Sequence, residues 1–228
     1  MLMKPLVDNV RAVLFDLDGT LVDTNIDFPL MKAQMIELAL EHGLSDSSLA
    51  EMDILAIVDT ATESLTANGK HSEATNLRSR AMAILEEIEL RHASQTQEIP
   101  HAREGVAELR ARGIGIGIVT RNCRAASEIS LDIAGIQPDV MICREDSIKH
   151  KPHPDPLYMA LDALSARPKE SIMVGDHLMD IRSGKAAGMK TIGFLREDRP
   201  EGFFDLVGPD LIARDLLEVI GAIIHPDR

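Results

Sequence analysis

Ala12-Val13-Leu14-Phe15-Asp16-Leu17-Asp18-Gly19-Thr20 is the stretch on which the reading of this chain turns. Its first four residues form a short apolar run, the pattern of a buried strand. Two carboxylates, Asp16 and Asp18, stand where that strand should end. Gly19 then allows the backbone to turn sharply. Two like charges side by side add little to stability. A metal-assisted nucleophile with its own acid/base partner requires such a pair.

Downstream of Ala102, strand and helix signals alternate. A helix containing Val106 and Leu109 stops at Gly113, and Ile114–Val119 follows as a strand. The spacing predicts a helix over 125–134, a strand over 140–142, a helix over 156–164 and a strand over 172–174. A helix over 180–187, strands near 191–194 and 211–212, and a final helix over 215–224 complete the series. Short apolar strands alternating with helices predict a doubly wound, Rossmann-like α/β fold with a parallel sheet.

Residues 28–93 carry helix signals alone. Met31, Met35, Leu38 and Ala39 recur at helical spacing, as do Leu77, Ala81, Ile84, Leu85 and Ile88. Ser45–Ser48 reads as a turn and N-cap, and Asn68-Gly69 as another break. This block is too long for an ordinary connection between strands. It is expected to be an inserted helical domain over 23–94, with residues 1–22 and 95–228 forming the core. A helical half packed into one continuous core is the alternative.

Composition narrows the function. The 228 residues are 45% hydrophobic and 27% charged, an ordinary globular balance, but only 3% aromatic with no Trp. The core must be aliphatic, and base stacking on aromatic platforms is disfavoured. A formal net charge of -13 argues against nonspecific binding to nucleic acid or anionic membranes. Two cysteines give no disulfide framework. Asp8, Asn9 and Arg11 interrupt any apolar leader, and no run approaches the roughly 18 apolar residues of a membrane helix. A soluble cytoplasmic protein, monomer or homodimer, is expected.

In a doubly wound sheet, chemistry gathers at the carboxyl ends of the strands. The first strand brings Asp16 and Asp18 there. The second brings Thr120, Arg121 and Asn122, and the strand over 172–174 brings Gly175, Asp176 and, one turn on, Asp180. Lys149 and Lys151 precede the helix near Pro156. Carboxylates, a hydroxyl and a lysine on one rim suit Mg²⁺, a hard cation that takes one or two carboxylates plus a phosphate. No Cys or His cluster has zinc spacing, and His150, His153 and His177 read as loop residues flanking the rim. Gly113, Gly115 and Gly117 lie before and within a strand, so they are no dinucleotide fingerprint. Asp180 also fits as the N-terminal charge of its helix.

The ordered set Asp16-Leu17-Asp18-Gly19-Thr20, Thr120, Lys151-Pro152 and Gly175-Asp176 with Asp180 resembles the haloacid dehalogenase superfamily of phosphotransferases. The helical insert looks like that family's cap of the first type, found in its phosphoglycolate phosphatase and β-phosphoglucomutase branch. The tail from Asp180 to Gly188 is similar to that branch as well. The resemblance implies that Asp16 is the nucleophile and Asp18 the general acid and then base, with its main-chain carbonyl facing the metal. It implies that Thr120 donates to a phosphoryl oxygen and Lys151 neutralises charge. Mg²⁺ would lie on Asp16 and Asp176, completed or supported by Asp180. Lys151 is preferred to Lys149 because Pro152 and Pro154 follow it. Arg121 and Asn122 are candidate substrate contacts; Asn often follows the Thr directly in relatives, and Arg121 departs from that.

The implied activity is Mg²⁺-dependent hydrolysis of a small phosphate monoester, phosphoglycolate-like or a sugar phosphate, with the cap closing over it. A phosphomutase of the β-phosphoglucomutase type shares the same core residues. It would need cap cations to hold a bisphosphate, for which Arg78, Arg80 and Arg91 are available. A dehalogenase of the superfamily generally lacks the second aspartate, so Asp18 argues against that activity. A non-catalytic binding protein would usually have lost a motif residue, and none is lost.

Overall fold

A computed structural model describes residues 6–7, 9–44 and 47–224. The proposed turn at Ser45 begins outside them; from Ser47 to Glu51 the chain forms a 3₁₀ turn. The described chain divides into two compact units, Met1–Thr24 with Ala93–Arg228, and Asn25–His92.

The first unit holds strands β1 (Ala12–Phe15), β2 (Val22–Asp23), β3 (Gln97–Glu98), β4 (Gly115–Val119), β5 (Val140–Ile142), β6 (Ser171–Gly175), β7 (Lys190–Phe194) and β8 (Leu211–Ala213). Its helices are, counting from the second unit's, α4 (Ala102–Ala111), α5 (Arg124–Ala134), α6 (Asp155–Ala163), α7 (Leu178–Ala187) and α8 (Leu216–Ile224). Six strands form one sheet in the order β5-β4-β1-β6-β7-β8, and every pairing is parallel. Renumbered within the sheet, that is the 3-2-1-4-5-6 order of a Rossmann-like fold. Its order reverses beside β1, where such sheets open a crevice at the strands' carboxyl ends.

The apolar run of β1 is explained by this central place. All four residues are fully buried, because helices cover both faces of the sheet. Side chains alternate between the faces. Val13 and Phe15 pack with Val106 and Leu109 of α4 and with Leu216 and Val219 of α8. Ala12 and Leu14 pack with Leu157 and Leu161 of α6 and with Ala187 of α7. Burying a side chain such as Leu14 or Phe15 contributes about 1.5–3 kcal/mol.

The second unit contains α1 (Phe28–Glu41), α2 (Ile54–Ala67) and most of α3 (His71–Ala93). Asp27 caps α1 by accepting from the Leu30 amide, and Asp53 caps α2 through the Leu55 and Ala56 amides. The helices share an aliphatic core that includes Met31, Met35, Leu38, Ile57, Leu77 and Leu85. The recurring methionines are therefore core residues.

Gly184 of α7 offers a test of the helix-on-sheet packing. In a free helix, replacing Gly by Ala gains about 0.8–1.0 kcal/mol. Here the added Cβ would stand 2.7 Å from Thr191 Cγ2 and 2.9 Å from Met173 Cβ. Met173 Cβ is tied to a central strand and cannot swing aside. Overpacking of this kind costs about 1–3 kcal/mol and outweighs the gain. Gly184→Ala is expected to lower the thermal midpoint by a few degrees, at about 2–4 °C per kcal/mol for this size. A raised midpoint in a melting experiment would contradict the packing described.

Candidate active site

Asp16 follows β1 directly, and its amide donates to the Val174 carbonyl of β6. The chain then folds tightly: the Thr20, Leu21 and Val22 amides all reach the Leu17 carbonyl. Gly19 sits at φ 88°, a left-handed conformation, and a Cβ there would lie 2.3 Å from Asp176 Oδ2. Glycine is required twice over, for the turn and for the room Asp176 occupies. Gly175 likewise leaves room for Asp180, whose carboxyl carbon would be 2.4 Å from an added Cβ.

Carboxylate oxygens of Asp16, Asp176 and Asp180 all lie within 4.8 Å of one another. Lys151 joins them from the loop before α6: Nζ is 2.5 Å from Asp16 Oδ1 and 2.7 Å from Asp180 Oδ1. The Lys151 side chain is only 3% exposed. Lys149, its competitor, is exposed and lies 3.4 Å from His153 Nε2. Asp180 performs two tasks at once. Its Oδ1 accepts from Lys151, while Oδ2 accepts from the His177 amide and caps α7.

Asp18 stands apart from this cluster. Its Oδ1 accepts from both the amide (2.9 Å) and the hydroxyl (2.8 Å) of Thr24. Two carboxylates two residues apart thus have different surroundings, the condition for different roles. Thr120 is buried just past β4, and its Oγ1 accepts from the Asn122 amide. Asn122 is buried too, and its carbonyl accepts from the Arg144 amide. Arg121 Nη1 lies 2.6 Å from Met179 Sδ, and the Arg121 carbonyl accepts from Arg144 Nη1. His177 Nδ1 accepts from the Met179 amide, a capping role.

Thr24, Arg144 and Arg196 are neighbours that the motifs did not single out, and Thr20, which closes the first motif, had been given no role. Thr20 Oγ1 accepts from the Asp176 amide, at 3.1 Å, and so links the first motif to the fourth. Buried Arg144 holds the loop carrying Arg121 and Asn122. The strand-end rule, extended to β7, would have reached Arg196.

The electrostatics follow from burial. Desolvation pushes the Asp16 carboxyl up to about 7, against the pull of Lys151 and with the push of Asp180. Desolvation, then the charges of Asp16 and Asp180, push Asp176 up to about 8. Asp18 is also raised, first by burial, with the Thr24 hydrogen bonds pulling back. Burial works against the charge of Lys151, but Asp16 and Asp180 outweigh it and hold its pKa above the ordinary value. The arrangement is a nest of hard oxygen donors with more negative charge than one ammonium offsets. A divalent cation of the Mg²⁺ type fits this donor set.

The chain matches the haloacid dehalogenase-like hydrolase family over residues 13–194. It is 31% identical over 217 residues to the pyrophosphatase PpaX of Oceanobacillus iheyensis, covering 93% of this chain and 96% of that one. Among solved structures, a HAD phosphatase from Thermococcus onnurineus shares 25% identity and a TM-score of 0.62, over 96% of this chain and 100% of that one. A predicted phosphoglycolate phosphatase from Haemophilus somnus shares the fold, with a TM-score of 0.60 at 21% identity over 92% and 96% of the two chains. The chain belongs to the haloacid dehalogenase-like hydrolase family. It is a hydrolase, and its relatives group it with that family's phosphatases.

The raised carboxyls give a pH signature. Between the unfolded value near 3.8 and folded values of about 7 and 8, the folded state binds more protons than the unfolded. Their contribution to stability is therefore present at low pH and is lost as pH rises through that window. With a chelator present, the Asp176→Asn midpoint is expected to gain on wild type between pH 5 and pH 8.5 (both about). Adding Mg²⁺ at the upper pH should raise wild type more than the variant. Parallel pH profiles for the two proteins would contradict the electrostatics described.

Proposed function

We propose that the protein is a Mg²⁺-dependent phosphatase that hydrolyses a small phosphorylated metabolite through an aspartyl-phosphate on Asp16. One observation carries the reading. Asp16 is held by a buried ammonium inside a carboxylate cluster, while Asp18 is held separately by Thr24.

In the first half-reaction, an Asp16 oxygen attacks phosphorus and the bond to the leaving oxygen breaks. Asp18 gives that oxygen its proton. In the second, Asp18 takes a proton from water, the water oxygen attacks phosphorus, and the bond to Asp16 breaks, releasing phosphate. An anionic nucleophile meeting an anionic phosphoryl group is opposed by charge. Lys151 offsets that repulsion, and the Thr120 hydroxyl is assigned a phosphoryl oxygen. Mg²⁺, carried by Asp16 and Asp176 with Asp180 holding Lys151 beside them, would supply further positive charge at the transferring group. Asn122 and Arg121 border the site from the loop after β4 and are assigned to the substrate side.

Hydrolysis is favoured over phosphomutase chemistry by the arginines of the helical unit. Arg78 pairs with Asp59 at 2.7 Å, Arg80 with Glu41 at 3.2 Å and Arg91 with Glu87 at 2.7 Å. Each of these three arginines has a carboxylate of its own unit beside it.

Pyrophosphate is a second substrate reading, favoured by the name of the 31% identical relative. It is a phosphoanhydride, and its leaving group is itself phosphate.

The test is a panel of pyrophosphate, phosphoglycolate, sugar phosphates and p-nitrophenyl phosphate, each with Mg²⁺ and with EDTA. Asp16→Asn and EDTA are each expected to reduce turnover to background. Asp18→Asn should lose about 10²–10⁴-fold, the usual contribution of a general acid/base. Full turnover by Asp16→Asn, or in EDTA, contradicts the mechanism. A higher kcat/KM for pyrophosphate than for every monoester selects the second substrate.

A further inference from the structure

Arg196 lies two residues past the end of β7, on the same rim as the carboxylates. Its Nη2 is 2.8 Å from Asp23 Oδ2, and its Nε is 3.4 Å from Asp198 Oδ1. The Arg196 side chain is 25% exposed, so its charge is partly shielded from water.

Asp23 ends β2, and its neighbours on both sides hold Asp18. Val22 bridges Asp18, and the Val22 carbonyl accepts from the Gly19 amide at 2.7 Å. Thr24 gives both its amide and its hydroxyl to Asp18 Oδ1. Yet β2 is two residues long, and its strand partner β3 is equally short. A strand pair of that length has little stability of its own. β7, by contrast, is paired on both sides within the six-stranded sheet. Leu17, Leu21 and Val22 are anchored in the main core, so the Arg196–Asp23 pair adds a tie from the rigid sheet to the polar end of the segment, at Asp23 and Thr24.

We propose that Arg196 is a positioning residue: by pinning Asp23 to the rim of the sheet, it fixes the Val22–Thr24 segment and, through Thr24, the carboxylate of Asp18. Its kinetic consequence rests on the reading of Asp18 as acid and base, while the mechanical tie does not. A small displacement of a catalytic group is costly, about 10²-fold for 1 Å.

The experiment has two arms on full-length Arg196→Ala, Asp23→Ala, the double variant and Arg196→Lys. The first measures amide hydrogen exchange over residues 17–24 and needs no turnover. Both single alanine variants should speed exchange there, and the double variant should be no faster than either, because the two residues act as one unit. Unchanged exchange in Arg196→Ala overturns the proposal whatever the activity.

The second arm compares an alkyl phosphate, whose leaving oxygen needs a proton, with p-nitrophenyl phosphate, whose leaving group does not. Arg196→Ala should lose about 10–100-fold in kcat on the alkyl ester, with KM little changed and the initial burst of p-nitrophenol retained. Arg196→Lys should recover much of the loss. A rise in KM with kcat intact makes Arg196 a substrate contact and overturns the proposal. So does an equal loss on both the alkyl ester and the burst. If Asp16→Asn keeps its activity, the functional reading has failed, and the exchange arm still decides the tie.

Discussion

The buried ammonium of Lys151 between Asp16 and Asp180 is the contact on which the site depends. Three carboxylates packed this closely in a poorly solvated place repel one another. One lysine offsets part of that charge and leaves a remainder. The remainder suits the rim to a hard cation, and the proposed function rests on that fit. The contact also spans the fold, because Asp16 follows β1, Lys151 precedes α6 and Asp180 opens α7.

Around that contact the backbone is shaped by what must be absent. Gly19 clears space for Asp176, and Gly175 clears space for Asp180. A side chain at either glycine would compete with a carboxylate for the same volume. Thr20 then holds the Asp176 amide, so the turn after β1 and the turn after β6 are built as one piece. Asp18 escapes the crowding because the chain has turned by then, and Thr24 gives it neutral donors in place of Lys151. The division between a charge-neutralised Asp16 and a separately held Asp18 is a product of this local geometry.

Much of this was legible in the chain itself. A strand covered on both faces must be apolar throughout, so Ala12–Phe15 announces its central place, and the carboxylates after it mark the site. Strand ends led to Thr120 and Asp176 by the same rule. Spacing left Lys149 against Lys151, and left Asp180 as either a helix cap or part of the cluster. The structure buries Lys151 against Asp16 and Asp180, leaves Lys149 exposed, and gives each Asp180 oxygen its own partner. Arg144 and Thr24 were not legible, and for Arg196 the strand-end rule gives the place but not the partner. Arg196 meets Asp23 across 173 positions of sequence, and no local pattern encodes a meeting that depends on strand order.

By itself the sequence determined the alternation of strand and helix, the helical block over 28–93 and the residue types at each strand end. Those follow from periodicity and turn chemistry, which act over a few residues. The tertiary structure decided which of the charged side chains meet. Parallel strands from distant segments lie side by side only once the sheet has formed, and ion pairs and carboxylate clusters act over a few ångströms. That is why Lys151 rather than Lys149 reaches Asp16, and why Arg196 reaches Asp23 at all.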